Sequence, residues 1–147
     1  MFKVISFNTN EKVLAQHAFS IRQKVFVEEQ KVDAREEYDE HEDESKHYLL
    51  YIDDIPVGTA RWRTTQNGVK LERFAVLPHF RKDGAGSFLV NAVLNDVKSL
   101  NKTIYLNAQV AAMNLYRRAG FKEEGDLFYE ANIAHFKMKY VQKELIL

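Results

Sequence analysis

The sequence contains no cysteine. That excludes disulfide staples, thiolate nucleophiles and cysteine-ligated zinc. It also lacks any apolar run near the roughly 18 residues a membrane-crossing helix needs, so no membrane partner is expected. The N-terminal stretch "MFKVISFNTNEK" has none of the charged-then-apolar layout of a secretory signal, which makes the cytoplasm the expected location. There is no linker-like composition, internal repeat or low-complexity tract, so residues 1–147 are expected to form a single domain. Net charge is absent too, with 21 Lys and Arg against 21 Asp and Glu. Lys and Arg never gather into a basic block, so nucleic acid is not an expected partner.

What charge there is lies unevenly. Glu28 to His47, "EEQKVDAREEYDEHEDESKH", holds ten acidic residues and three Lys or Arg, which leaves 18 basic and 11 acidic residues elsewhere. Such a run reads either as a solvated loop or as an acidic rim that draws in a cation, while the basic remainder suits a phosphate-bearing ligand. Hydrophobic residues make up 46% of the chain, enough for a buried core.

Periodicity outlines the elements. Val4–Phe7 reads as a first strand. Asn8, Thr9 and Asn10 offer caps to a helix whose apolar positions Leu14, Ala18, Ile21 and Val25 recur at helical spacing, with its end near Glu28. "HYLLYIDDIPVGTARWRTT" reads as two strands around a turn near Asp53–Pro56, and Asn67-Gly68 marks a type I′ hairpin. Gly86–Leu100 buries one helical face through Phe88, Leu89, Ala92, Val93 and Val97. "TIYLNA" is a strand, "AAMNLYRRAG" a helix closed by Gly120, Phe121 opens another strand and "HFKMKY" alternates like one. The class is α+β, with an antiparallel meander feeding strand–helix–strand units.

Between the strand ending at Leu77 and the helix opening near Gly84 lies "HFRKDGAGSFLV". Glycines before a helix start let an anion approach its amides. A P-loop needs Lys then Ser or Thr after its last glycine, but Gly86 is followed by Ser87 and Phe88. A dinucleotide fingerprint from Gly84 needs a third small residue where Leu89 stands. Both patterns fail. Arg81-Lys82-Asp83-Gly84-Ala85-Gly86 instead resembles the pyrophosphate loop of the GNAT superfamily of acetyl-CoA-dependent N-acetyltransferases. "LNAQVAAMNLYRRAGF", with Tyr116, Gly120 and Phe121, resembles a second motif of that family. "IRQKVFVEEQKV", "HYLLY", "LNAQ" and "IAHFKMK" resemble its ElaA-like branch. The family loop often carries Gly and then a basic residue after the Arg. Here Lys82 and Asp83 stand there, and Asp83 either caps the helix or weakens the hold on a pyrophosphate.

The resemblance implies a mostly antiparallel sheet, flanked by helices and splayed between its fourth and fifth strands, with acetyl-CoA in the V and no metal. The pantetheine arm would pair with the backbone of Phe74, Ala75 and Val76. The pyrophosphate would rest on the amides of Lys82, Asp83, Gly84, Ala85, Gly86 and Ser87, with charge from Arg81 and Lys82; Asn107 joins these cofactor contacts. A neutral primary amine, small-molecule or protein-borne, would attack the thioester directly. Tyr116 is the family's position for protonating the thiolate, the alternative being a core tyrosine. For the base, Glu72 competes with a reading as a strand residue paired to Lys70 or Arg61. His135 competes with a structural histidine. Glu28 and Glu29 are candidates for the acceptor site. Phe19, Phe26 and Tyr38 read as core or as a wall of that site. Alternation in Arg61-Trp62-Arg63 means one buried and one wet face. His17, His41 and His79 read as surface residues, and His41 lacks metal-ligand spacing. His47 matches the branch without a role. A monomer or homodimer is expected. The alternative function is a non-catalytic acyl-CoA-binding module.

Overall fold

Leu49 and Leu50 are neighbours on one strand, are both fully buried, and belong to two different cores. Side chains on a strand alternate in direction, so this sheet is covered on both faces. In the computed structural model, which describes residues 1–141, the sheet has seven strands: β1 (Phe2–Phe7), β2 (Lys46–Ile52), β3 (Ile55–Thr65), β4 (Gly68–Val76), β5 (Ile104–Gln109), β6 (Phe121–Glu130) and β7 (Ile133–Tyr140). Their order is β1-β2-β3-β4-β5-β7-β6. Every neighbouring pair is antiparallel except β4 and β5.

Helix α1 (Lys12–Arg22) covers one face, with Ala15, Ala18 and Ile21 packed on Phe7, Leu49 and Ala75. The short α2 (Ala34–Glu37) follows it along the chain and then, after β4, the long α3 (Ala85–Val97). Helix α3 and α4 (Met113–Ala119) cover the opposite face through Leu89, Val93, Met113 and Tyr116. The α-helical pattern read in the sequence to about Glu28 is α-helical only to Arg22. It continues as a π-helical segment, Gln23–Glu29, and the Gln30 N–H donates to the Val25 carbonyl at 3.0 Å. Asn8, Thr9 and Asn10 do not cap α1. Its N-cap is Glu11, whose side chain accepts from the Asn8 N–H at 3.1 Å, while the Thr9 hydroxyl donates to Asp43.

The expected type I′ turn is elsewhere. Asp53 and Asp54, with φ of 47° and 69°, form that two-residue turn between β2 and β3, and Ala131 and Asn132 repeat it between β6 and β7. Neither Gln66 nor Asn67 has positive φ. Gly68 answers a different demand: a Cβ there would lie 2.2 Å from the Thr103 carbonyl oxygen, where the chain entering β5 crosses beneath β4.

Candidate active site

The parallel pairing of β4 and β5 runs through Val69↔Ile104, Lys70↔Tyr105 and Leu71↔Leu106, and then stops. Beyond it the strands separate, as the resemblance implied. The opening is a cleft of about 860 Å³ lined by Glu72–Val76 of β4, Asn107 and Gln109 of β5, Gly84, Gly86 and Ser87, Tyr116 of α4, and His135 of β7. A parted strand leaves backbone groups without sheet partners, so the cleft presents main-chain donors and acceptors on one wall.

That wall is irregular. Thr59 faces Ala75 and Arg61 faces Glu72, so two residues of β4, Arg73 and Phe74, oppose the single residue Ala60. This is a β-bulge, with Arg73 at φ 60°. Phe74 lies edge-on to the Tyr116 ring at 5.8 Å, and Phe121 flanks Tyr116 on another side at 6.2 Å. Tyr116 is only 7% exposed, and its hydroxyl makes no hydrogen bond among the described residues. Burial pushes its pKa well above the ordinary tyrosine value.

At the mouth, Asp83 and Gly84 are consecutive left-handed residues, φ 64° and 84°, which turn the chain into α3. Asp83 does not cap that helix: Gly84 is the N-cap and no side chain satisfies it. Lys82 and Asp83 are exposed and Ala85 is buried beneath the turn. Arg81 is engaged within the protein. Its Nε donates to the Val76 carbonyl at 2.8 Å, and its two terminal nitrogens hold Glu29 at 2.8 and 2.6 Å. The hydrogen bond from Arg81 holds the Glu29 carboxyl below its usual pKa. Glu29 is therefore tied to the loop at the cleft mouth, and Glu28 is exposed; neither lines the cleft.

Glu72 is buried amid Arg63 Nε (2.7 Å), Arg61 (3.2 Å) and Lys70 Nζ (3.3 Å). Burial alone would raise its pKa, but the Arg61 charge and the Arg63 hydrogen bond prevail and hold it low. His135 is buried, stacked on Phe128, with Nδ1 2.6 Å from the Ile133 carbonyl and Nε2 3.9 Å from Glu130. A carbonyl only accepts, so Nδ1 carries the proton and Nε2 of the neutral ring keeps a lone pair. The Asn107 amide donates to Glu130 at 3.4 Å across the same end.

Much of the acidic run is not a solvated loop. Glu37 is 3% exposed, Arg22 and Arg61 about 1% or less. Arg22 binds Glu37 and Glu42, Arg61 binds Asp39 and Glu42, and Arg73 binds Glu37 and Asp39. Burial keeps the Glu37 pKa raised in spite of its arginines. Asp39, where hydrogen bonds from Arg61 and the His41 N–H outweigh burial, is held very low. The buried face at Arg61-Trp62-Arg63 is thus the arginine's: Arg61 is wholly enclosed, and the Trp62 indole donates to the Tyr48 hydroxyl. Phe19 and Tyr38 meet edge-on and each lies against the Arg22 guanidinium, and of the trio Phe19, Phe26 and Tyr38 only Phe26 lines the cleft. His47 stacks on Phe7, its Nε2 2.8 Å from the Glu42 carbonyl, and burial lowers its pKa. It belongs to the support beneath the acidic loop. No local sequence signal marks Arg73, Glu37 or Asp39, because their partners come from distant segments.

Among the described residues no helix is long and apolar enough to cross a membrane. The family profile of the acetyltransferase (GNAT) domain matches residues 8–142. The uncharacterized N-acetyltransferase YjcF of Bacillus subtilis is 38% identical over 131 residues, 88% of this chain and 93% of that protein. In fold, the chain resembles ElaA of Escherichia coli (TM-score 0.84, 23% identity, 96% of this chain and 100% of that one). It also resembles a GNAT family acetyltransferase of Elizabethkingia anophelis with acetyl-CoA bound (TM-score 0.68, 14% identity, 94% of each chain). With a parted β4–β5 pair, a glycine turn opening α3 and a profile match over nearly its whole length, this chain belongs to the GNAT acetyltransferase family and is an acyltransferase.

Proposed function

We propose that this chain transfers the acetyl group of acetyl-CoA to a primary amine by direct attack within the β4–β5 cleft. The observation that carries the reading is that β4 beyond Leu71 has no strand partner on its β5 side, in the cleft that Tyr116 also lines. An extended amide-bearing arm completes that stretch, with its thioester carried inward past Phe74 and its pyrophosphate left at the turn before α3. The acetyl-CoA bound to the E. anophelis protein supports acetyl-CoA as the donor.

In the reaction the amine nitrogen attacks the thioester carbonyl carbon, the C–S bond breaks, the sulfur gains a proton and the nitrogen loses one. Backbone N–H groups at the Arg73–Phe74 bulge stabilise the oxyanion. Tyr116 gives its proton to the sulfur; a phenol is protonated at neutral pH even at its ordinary pKa. His135 suits the base better than Glu72 does. It lines the cleft and its Nε2 keeps a lone pair in the neutral tautomer, whereas three cations already engage the Glu72 carboxylate and lower its basicity. Glu36, Glu40 and Glu130 line the mouth without an Arg or Lys partner among the described residues, which favours an acceptor that carries positive charge.

The test is release of free coenzyme A with a panel of amines: monoamines, polyamines, amino sugars and lysine peptides. Amine-dependent release supports the reading. Tight binding of coenzyme A without release from any amine leaves the acyl-CoA-binding module instead.

A further inference from the structure

We propose that Arg73 is a positioning residue, whose guanidinium, clamped by the acidic loop, fixes the β4 bulge that faces the thioester. The proposal rests on the acetyl-transfer reading above.

A left-handed backbone is unusual for a residue other than Gly, Asn or Asp, and more so inside a strand. Such a conformation persists where its surroundings over-determine it. At Arg73 they do. Its Nε lies 2.9 Å from the Glu37 carboxylate and 3.3 Å from the Glu37 carbonyl. Its second terminal nitrogen lies 3.3 Å from both the Asp39 carboxylate and the Glu36 carbonyl. Two carboxylates and two carbonyls of one short segment thus grip a single planar fork.

The grip is useful only if the segment itself is fixed, and it is. Arg22 holds the Glu37 carbonyl at 2.8 Å from below, and Arg61 takes both oxygens of Asp39 at 3.0 and 2.8 Å. One residue earlier, Glu72 is pinned by Arg61, Arg63 and Lys70. The bulge is therefore fastened on consecutive residues by charges from α1, β3 and the α2 segment. One residue later, Phe74 packs on Tyr116. With Nε and one terminal nitrogen of Arg73 held by the loop, the side chain is assigned to acting through the backbone it orients.

Without the clamp the bulge can relax toward a regular strand, which turns the Arg73 and Phe74 amides away from where the oxyanion forms. Turnover then falls, while affinity for acetyl-CoA, spread along the arm and the pyrophosphate turn, changes little. Arg73→Gly isolates the clamp, since glycine adopts positive φ freely but has no guanidinium. Its kcat is expected to drop by about tenfold or more, with the KM for acetyl-CoA within about threefold and the fold intact by circular dichroism. Arg73→Lys, which keeps the charge but not the fork, falls between it and the parent. It carries the same test should the glycine variant fail to fold. Parent-like kcat in a folded variant overturns the proposal, as does a loss confined to KM. A second readout does not depend on turnover: in the coenzyme A complex, the Phe74 and Ala75 amide resonances should shift or broaden in Arg73→Gly. Unchanged resonances overturn the proposal, whereas a parent that binds coenzyme A but acetylates no amine overturns only the functional reading.

Discussion

Removing a single oxygen from Tyr116 separates its two roles. In Tyr116→Phe the ring keeps its edge-on contacts with Phe74 and Phe121, so nearly all the apolar packing survives. An intramolecular hydrogen bond contributes about 1 kcal/mol to stability, and the Tyr116 hydroxyl has none to lose among the described residues. The expected change in stability is therefore within about 0.5 kcal/mol, a shift of about 1–2 °C in Tm for a chain of this size. Catalysis is different. A placed general acid contributes about 100- to 10,000-fold, or roughly 2.7–5.5 kcal/mol of barrier. Turnover should fall by at least about tenfold with the KM for acetyl-CoA nearly unchanged, because the proton matters only as the intermediate collapses. The assay is steady-state release of the coenzyme thiol beside thermal unfolding followed by circular dichroism. A thioester whose thiol is more acidic needs less help and should recover part of the loss. If Tyr116→Phe keeps parental turnover with several amines, the phenol is a packing residue and water or another group protonates the sulfur.

Gly86→Val places a side chain in ordinary contact with Leu115, 3.4 Å from where its Cβ would stand. The fold should persist while coenzyme A binding by calorimetry weakens by about tenfold or more, equal to about 1.4 kcal/mol; unchanged affinity would reduce the glycine to a packing role. The same substitution at Gly84 is less informative, because φ of 84° strains any side chain there. Asp83 caps nothing, so Asp83→Lys should tighten coenzyme A binding at low salt and lose that gain at high salt. Glu37→Ala leaves the buried Arg22 with Glu42 and the half-buried Arg73 with Asp39 as remaining carboxylate partners, and should cost about 1–3 kcal/mol in urea unfolding. Glu36→Gln with Glu40→Gln should leave stability alone and raise only the KM for a cationic amine. The His47 pKa is lowered in the fold, so the folded state binds fewer protons than the unfolded chain. Its contribution is complete above the ordinary value of 6.5 and is lost as pH falls below it. His47→Gln should flatten the stability profile just below pH 6.5; an unaltered slope would refute the assignment.

Local pattern carried the elements and the glycine turn well, because each depends on neighbours in sequence. Leu14, Ala18 and Ile21 repeat at helical spacing and do form the face of α1, and the strand read in "LERFAVLP" does precede α3, as β4 ending at Val76. Pattern failed where the decisive partner lies far along the chain. Arg61 looked like half of a wet alternation and is enclosed by acids 19 and 22 residues away. Glu37 and Asp39 looked like surface charge and are the counter-ions of arginines from α1, β3 and β4. The Asn67-Gly68 pair carries a turn signal, yet Gly68 is required by a carbonyl of the segment entering β5. The parting of β4 and β5 was legible only through resemblance, since nothing in "VKLERFAV" announces that pairing ends at Leu71.

The most direct measurement follows an isotopic label. The purified chain, acetyl-CoA deuterated in its acetyl group and a cationic primary amine are mixed, and products are read by mass spectrometry within one turnover. Direct attack in the cleft predicts the label on the amine nitrogen, free coenzyme A in equal amount, and no acetylated protein species at any time. Label that accumulates first on the protein contradicts direct attack. Coenzyme A bound in the cleft but no labelled amine, with any acceptor, contradicts catalysis.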